Sequence, residues 1–167
     1  MPAANYIEIY KQCRVFEDAV KGIIAAAIDP VGTISGLDSF KIVVTRDNTT
    51  QETPLVRIHF EIGAQQSHWY QGADLAYRAD AWECSLKLGV VTDRRENDDQ
   101  HELLVGLVRS IFSQWQNKFT TTNLPLHEVR QMMEESVSSE IIAESDLDAT
   151  MIQYKILLAV RSTAWPA

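Results

Sequence analysis

Trp82-Glu83-Cys84-Ser85-Leu86-Lys87-Leu88-Gly89-Val90 alternates apolar residues with polar or small ones, the period of a strand with one face in a core. The run stops at Thr92-Asp93-Arg94-Arg95-Glu96-Asn97, too polar to bury. Asp99 then stands three residues before Glu102, a capping-box-like helix start in which Asp99 replaces the usual Ser or Thr. Leu103, Leu104, Leu107, Val108, Ile111, Phe112, Trp115 and Phe119 follow at helical spacing. Strand, charged turn and amphipathic helix make a scaffold unit that contains no recognisable catalytic motif.

The reading extends outward in both directions. Tyr6, Tyr10, Cys13, Phe16, Val20, Ile23, Ile24 and Ala27 form one side of a leading helix, with Glu8, Lys11, Glu17 and Lys21 opposite. Asp29-Pro30 ends it, because the residue before proline is pushed out of the helical region. Phe40, Ile42 and Val44 alternate into a first strand. Pro54 opens a second, in which Val56, Ile58, Phe60 and Ile62 face one way and Arg57, His59 and Glu61 the other. Gly63 to Asp74 reads as a loop with Trp69 and Tyr70 in its middle, and contacts concentrate on loops.

Beyond Phe119, Thr120-Thr121-Thr122-Asn123 leads to a short helix expected over about Pro125 to Glu135. Pro125 suits its first position, and Leu126, Val129, Met132 and Met133 supply its apolar side. A weak strand near Glu140 to Glu144 and a strong one, with Ile152, Tyr154, Ile156, Leu158 and Val160 inward, close the chain. The order is α-β-β-β-α-α-β-β, and the first three strands can pair as an antiparallel meander. That is an α+β fold, an antiparallel (mixed) sheet with helices packed on one face. The other face would carry Arg57, His59, Glu61, Glu83, Ser85, Lys87, Lys155 and Arg161, either wet or given to a neighbouring subunit.

The 167 residues fit a single domain over residues 1–167, and a chain of about that size buries enough surface for a core without staples. The net charge of -8 comes from 15 Lys+Arg against 23 Asp+Glu. Tight nucleic-acid binding needs clustered cations, and Arg94-Arg95 is flanked by Asp93, Glu96, Asp98 and Asp99. An acidic surface past which DNA slides stays compatible. Cys13 and Cys84 read as buried free thiols, the reduced state of a protein folded in a cytoplasm; a bridge between them is the other reading. No targeting segment is visible, and the apolar run from Gly22 to Ile28 is far short of the ~20 residues of a membrane span.

Candidate chemistry is thin. His101-Glu102 begins like a zinc-binding HExxH helix, but position 105 is Val. His101 is better read as a first-turn helix residue and His59 as a surface histidine. His68 and His127 have no partner at metal spacing. GxSxG, P-loop and GxGxxG motifs are missing. Asp93 with Glu96, or Asp98 with Asp99, reads as a charged turn with helix caps in preference to a cation site. Trp165 near the C-terminus either packs on its own domain or anchors in a neighbour.

With this order of elements, the chain resembles the tail terminator and tail-completion (neck) proteins of long-tailed bacteriophages. The local carriers are Trp82-Glu83-Cys84-Ser85-Leu86, Val90-Val91-Thr92-Asp93-Arg94, the helix from His101 to Phe119, and Leu126-His127-Glu128-Val129. The resemblance implies a non-enzymatic virion protein without cofactor or metal, folded in the host cytoplasm. It further implies a hexameric ring that joins tail tube to head-side connector and lets DNA pass without specific binding. It carries over no catalytic or ligand residue. The chain departs from the smallest members in its longer loop from Gln65 to Gln71 and in the helix expected near residues 125–135. Contact residues expected for such an assembly are Arg57, His59, Glu61 and Lys87 on the polar sheet face, Trp69, Tyr70, Asp93 and Arg94 at the loops, and Trp165. The alternative is a small α+β enzyme or ligand-binding domain with a pocket between sheet and helices, His59, Glu61 and Glu83 being its nearest polar groups. A cellular adaptor sharing the fold is a third reading.

Overall fold

A computed structural model describes residues 4–28, 40–45, 55–66, 79–93, 98–124, 127–142 and 146–161. In chain order these form α1 (Ala4–Ile28), β1 (Lys41–Val44), β2 (Leu55–Gln66), β3 (Ala79–Asp93), α2 (Asp98–Ser113), a 3-10 turn (Trp115–Asn117), β4 (His127–Ile142) and β5 (Leu147–Arg161). The strands make one mixed sheet in the order β1-β2-β3-β5-β4. The fold is α+β, and the order of elements follows the sequence reading, with the 3-10 turn standing as the second helical element.

The decisive strand is central: β3 pairs with β5 along its whole length and with β2 along most of it. Its inward residues Cys84, Leu86, Leu88 and Val90 meet Val56, Ile58 and Phe60 of β2 and Ile152, Tyr154, Ile156 and Leu158 of β5. Both helices lie on this face. Phe16, Val20 and Ile24 of α1 and Leu104, Val108 and Phe112 of α2 are buried in the same core. A run of aromatic rings crosses it. Phe16 stacks on Phe60 with centroids 4.2 Å apart and on Phe119 at 5.3 Å; Phe119 meets Phe112 at 6.4 Å, and Phe112 meets Tyr154 at 5.8 Å. Cys13 and Cys84 are both buried and free. Burial pushes the Cys84 thiol up to about 12.

Four local expectations are corrected. First, β1 pairs with β2 in parallel, so the first three strands are not an antiparallel meander. The link over residues 45–54 is shorter than the dozen or so residues a parallel crossover ordinarily takes, which is why the sequence reads otherwise. Second, residues 127–135 are strand, the first half of β4. A register shift between Val129 and Gln131 inserts a residue, so Val129 and Met132 both face the core three positions apart. A second shift between Glu134 and Ser136 repeats the effect. Bulges thus imitate helical spacing inside a strand. Third, β2 continues through Gly63 to Gln66 beyond an irregularity between Ile62 and Gln65. A Cβ on Gly63 would stand 2.6 Å from the Glu83 carbonyl oxygen, so the close approach of the two backbones there requires glycine.

Fourth, Glu17 is fully buried although it reads as part of the solvated helix side. The β1–β2 ladder stops with the Thr45 N–H donating to the Ile58 carbonyl. The next amide of β2 toward that edge is the Phe60 N–H. Glu17 Oε1 accepts from it at 3.2 Å, so α1 is tied to the edge of the sheet by a buried hydrogen bond.

Glu17→Ala removes a buried acceptor from the Phe60 amide, and an expected loss of about 1–3 kcal/mol follows. Glu17→Gln keeps an acceptor and should lose less. Urea unfolding of the two variants checks the order; equal losses would show that the packing of the side chain, and not the hydrogen bond, carries the effect.

Candidate interaction surface

Alternation places odd-numbered residues of β2, β3 and β5 on the face turned away from the helices. Arg57, His59 and Glu61 stand along β2, opposite Gly89, Lys87 and Ser85 of β3. Met151, Gln153 and Lys155 of β5 continue the same three rows. Asp93 ends the β3 line opposite Leu147. Five expected contact residues, Arg57, His59, Glu61, Lys87 and Asp93, therefore share one face. Trp69, Tyr70, Arg94 and Trp165 lie outside the described residues, as does the side chain of Arg161.

Polar groups on this face bind one another. His59 Nε2 meets Glu61 Oε1 at 2.7 Å, and Lys155 Nζ meets Glu83 Oε1 at 2.8 Å. The Glu83 carboxylate raises the Lys155 ammonium above its ordinary value. Gln153 Nε2 donates to Glu135 Oε2 at 2.9 Å, tying β5 to β4. Among described side chains of β2, β3 and β5, Arg57, Lys87 and Lys155 are balanced by Glu61, Glu83 and Asp93. A face of paired charges on a chain of net charge -8 has local polarity for docking but no cation cluster for gripping phosphate.

The helix side carries a polar constellation that sequence reasoning missed. His101 Nδ1 lies 2.8 Å from Thr92 Oγ1 of β3, and its Nε2 lies 2.7 Å from Thr150 Oγ1 of β5. Thr150 Oγ1 also lies 3.0 Å from Ser139 Oγ of β4. One imidazole thus joins α2 to three strands. Its pKa is lowered by burial. Both ring nitrogens face hydroxyls, an arrangement that fixes position and supplies no carboxylate-backed base. The available signal was Thr92 and Thr150 at inward strand positions, polar where the alternation asks for apolar. His127, expected on a helix, starts β4 and is buried.

Two hollows border the helices. A groove of ≈ 900 Å³ runs between α1 and α2, lined by Ala19, Gly22, Ile23, Ala26, Leu107 and Ile111 among others. A smaller one of ≈ 460 Å³ lies under the 3-10 turn beside Trp115, Phe119, Leu124 and His127. The space between sheet and helices is filled by the core, and His59, Glu61 and Glu83 belong to the opposite face. Among the described residues, those three groups therefore do not line a space between sheet and helices. Among the described residues no group of three or more His, Cys, Asp or Glu is placed to hold a metal ion. No described helix is long and apolar enough to cross a membrane.

The geometry defines a five-stranded mixed α+β sheet with one helix-covered face and one polar face. No protein-family model matches the chain, and neither does any curated protein. Among solved structures it is similar to a chain from the virion of a native gene transfer agent particle. The identity is 10% and the TM-score 0.49, over 90% of this chain and 91% of that one.

Burial holds the His127 imidazole down to about 4, against an ordinary value of about 6.5. Between those values the unfolded chain binds a proton that the folded chain refuses. Stability is therefore complete above about pH 6.5 and falls as pH drops toward 4, by at most about 3 kcal/mol from this group. His127→Leu should remove that part of the slope. Urea midpoints taken above and within the window check it, and an unchanged slope would assign the acid sensitivity to other groups.

Proposed function

We propose that this chain is a non-enzymatic virion structural protein, a ring-forming tail terminator or tail-completion component that joins a tail tube to the head-side connector. The observation that carries the reading is the polar sheet face. It is broad, held on three strands joined by long ladders, free of helices among the described residues, and bears Arg57, His59, Glu61, Lys87 and Asp93 together. A rigid face of mixed charge suits repeated docking against neighbouring subunits. Charges matched across it fix register and discriminate against wrong partners more than they add affinity. The residue likeness to tail-completion proteins supports the same reading.

In this reading the ring uses two unlike patches per subunit, because head-to-tail contacts close rings. The polar face and the segments at residues 47–52, 65–71 and 93–99 supply them. Trp69 and Tyr70 act as aromatic anchors and Arg57 and Arg94 as polar ones, the residue types enriched at binding hot spots. The bore passes DNA, and the acidic balance of the chain keeps the duplex from sticking.

Removing the chain from particle-producing cells tests the proposal. Tails should fail to join heads or lose their fixed length, and the wild-type chain should restore them. Normal particles in its absence would overturn the role. Trp69→Ala should weaken ring assembly tenfold or more while leaving the far-ultraviolet circular dichroism of the subunit unchanged. A variant that loses its fold would instead place Trp69 in the core.

A further inference from the structure

β4 is the outermost strand of the sheet. Its inner edge is paired with β5 from His127 to Ile142, and its outer edge has no strand partner among the described residues. Exposed sheet edges recruit other strands unless bulges, charges or prolines blunt them. The first half of β4 is blunted in this way. It holds both register shifts and the charged residues Glu128, Arg130, Glu134 and Glu135. The second half, Ser136-Val137-Ser138-Ser139-Glu140-Ile141-Ile142, has no register shift, no proline and a single charge. Val137 and Ile141 stand on its helix side, opposite Ile152 and Asp148, and are 41% and 56% exposed.

We propose that residues 136–142 form a self-complementary edge through which two copies of this chain join, antiparallel, about a twofold axis at Ser139. The pattern decides the register. With Ser139 on the axis, Val137 stands opposite the partner's Ile141, and Ile141 opposite the partner's Val137. Ser138 then meets the partner's Glu140, and Ser136 the partner's Ile142. Apolar β-branched residues cover one another and no carboxylate faces another. A register centred on Val137 would set Glu134 against the partner's Glu140, a like-charge pair that directly opposed positions disfavour. The opposite edge of the sheet is the poorer mate. β1 has four residues, beginning with the exposed Lys41, and is too short to cover the open half of β4.

This contact is isologous and closes at two copies, so it cannot by itself build a ring. It uses none of the residues assigned above to ring contacts. The ring and this pairing stand or fall separately.

Light scattering of the purified full chain over a wide range of concentration should give the mass of two copies. Val137→Lys should return it to one copy with unchanged circular dichroism. Should Val137→Lys fail to fold, Ile141→Lys, at the more exposed position, gives the same reading. Ser139→Cys places like residues across the axis within disulfide reach, so mild oxidation should give a covalent dimer. Ser113→Cys on the exposed side of α2 should not. Cys13 and Cys84 are buried and add no background. A single-copy mass at every concentration would overturn the proposal. So would a larger assembly that Val137→Lys leaves intact and Ser139→Cys fails to cross-link. That second outcome would leave the ring reading in place, whereas a confirmed dimer with normal particles in the absence of the chain would do the reverse.

Discussion

The fold depends on the contact between Phe16 and Phe60. Phe16 lies midway along α1 and Phe60 midway along β2, and both are fully buried. Their rings stack at 4.2 Å, and Phe119 extends the stack from the segment that follows α2. Phe112 and Tyr154 carry the row on to α2 and β5. Four regions far apart in sequence thus share one line of rings. Aromatic pairs of this kind are worth about 0.5–1.5 kcal/mol each beyond the area they bury. Their larger effect is geometric, since flat faces admit few relative positions of helix and sheet. The Glu17 hydrogen bond sits one residue beyond Phe16 and ends on the amide of Phe60, so the same pair of positions is fixed by packing and by polarity.

A second restraint acts on α2. His101 holds its first turns to Thr92 and Thr150. Further along, the Arg109 guanidinium makes two hydrogen bonds with Glu134 of β4, at 2.7 and 3.0 Å. Arg109 is exposed, so the pair adds little stability, yet with His101 it defines where the helix lies along the sheet. These ties have a physical reason. α2 is amphipathic but short, and its apolar contacts alone would allow sliding along ridges of similar shape. Polar contacts with narrow geometry remove that freedom.

Much of this architecture is legible in the sequence, because β3, β5 and α2 follow their periods without interruption. Leu86, Leu88, Ile152 and Ile156 are buried as two-residue alternation requires, and Leu104, Val108 and Phe112 as helical spacing requires. The polar face is equally legible, since Arg57, His59 and Glu61 are simply the other half of a clean alternation. What hides is whatever depends on a local exception. Val129 and Met132 read as helix because a bulge adds one residue between two inward positions. The parallel pairing of β1 is set by strand direction, which no periodicity records. Glu17 and Thr150 are buried polar residues whose partners are 43 and 49 positions away along the chain, Phe60 and His101. Such pairs become readable only when the sheet order is known.

The cysteines bear on the covalent structure of the chain. Neither Cys13 nor Cys84 is bridged, both are buried, and burial raises the Cys84 pKa, which leaves little thiolate to attack a disulfide or meet an oxidant. No disulfide contributes to the core. The chain would keep one covalent structure in reducing and in oxidising surroundings alike, with no disulfide to break in the one and none readily formed in the other.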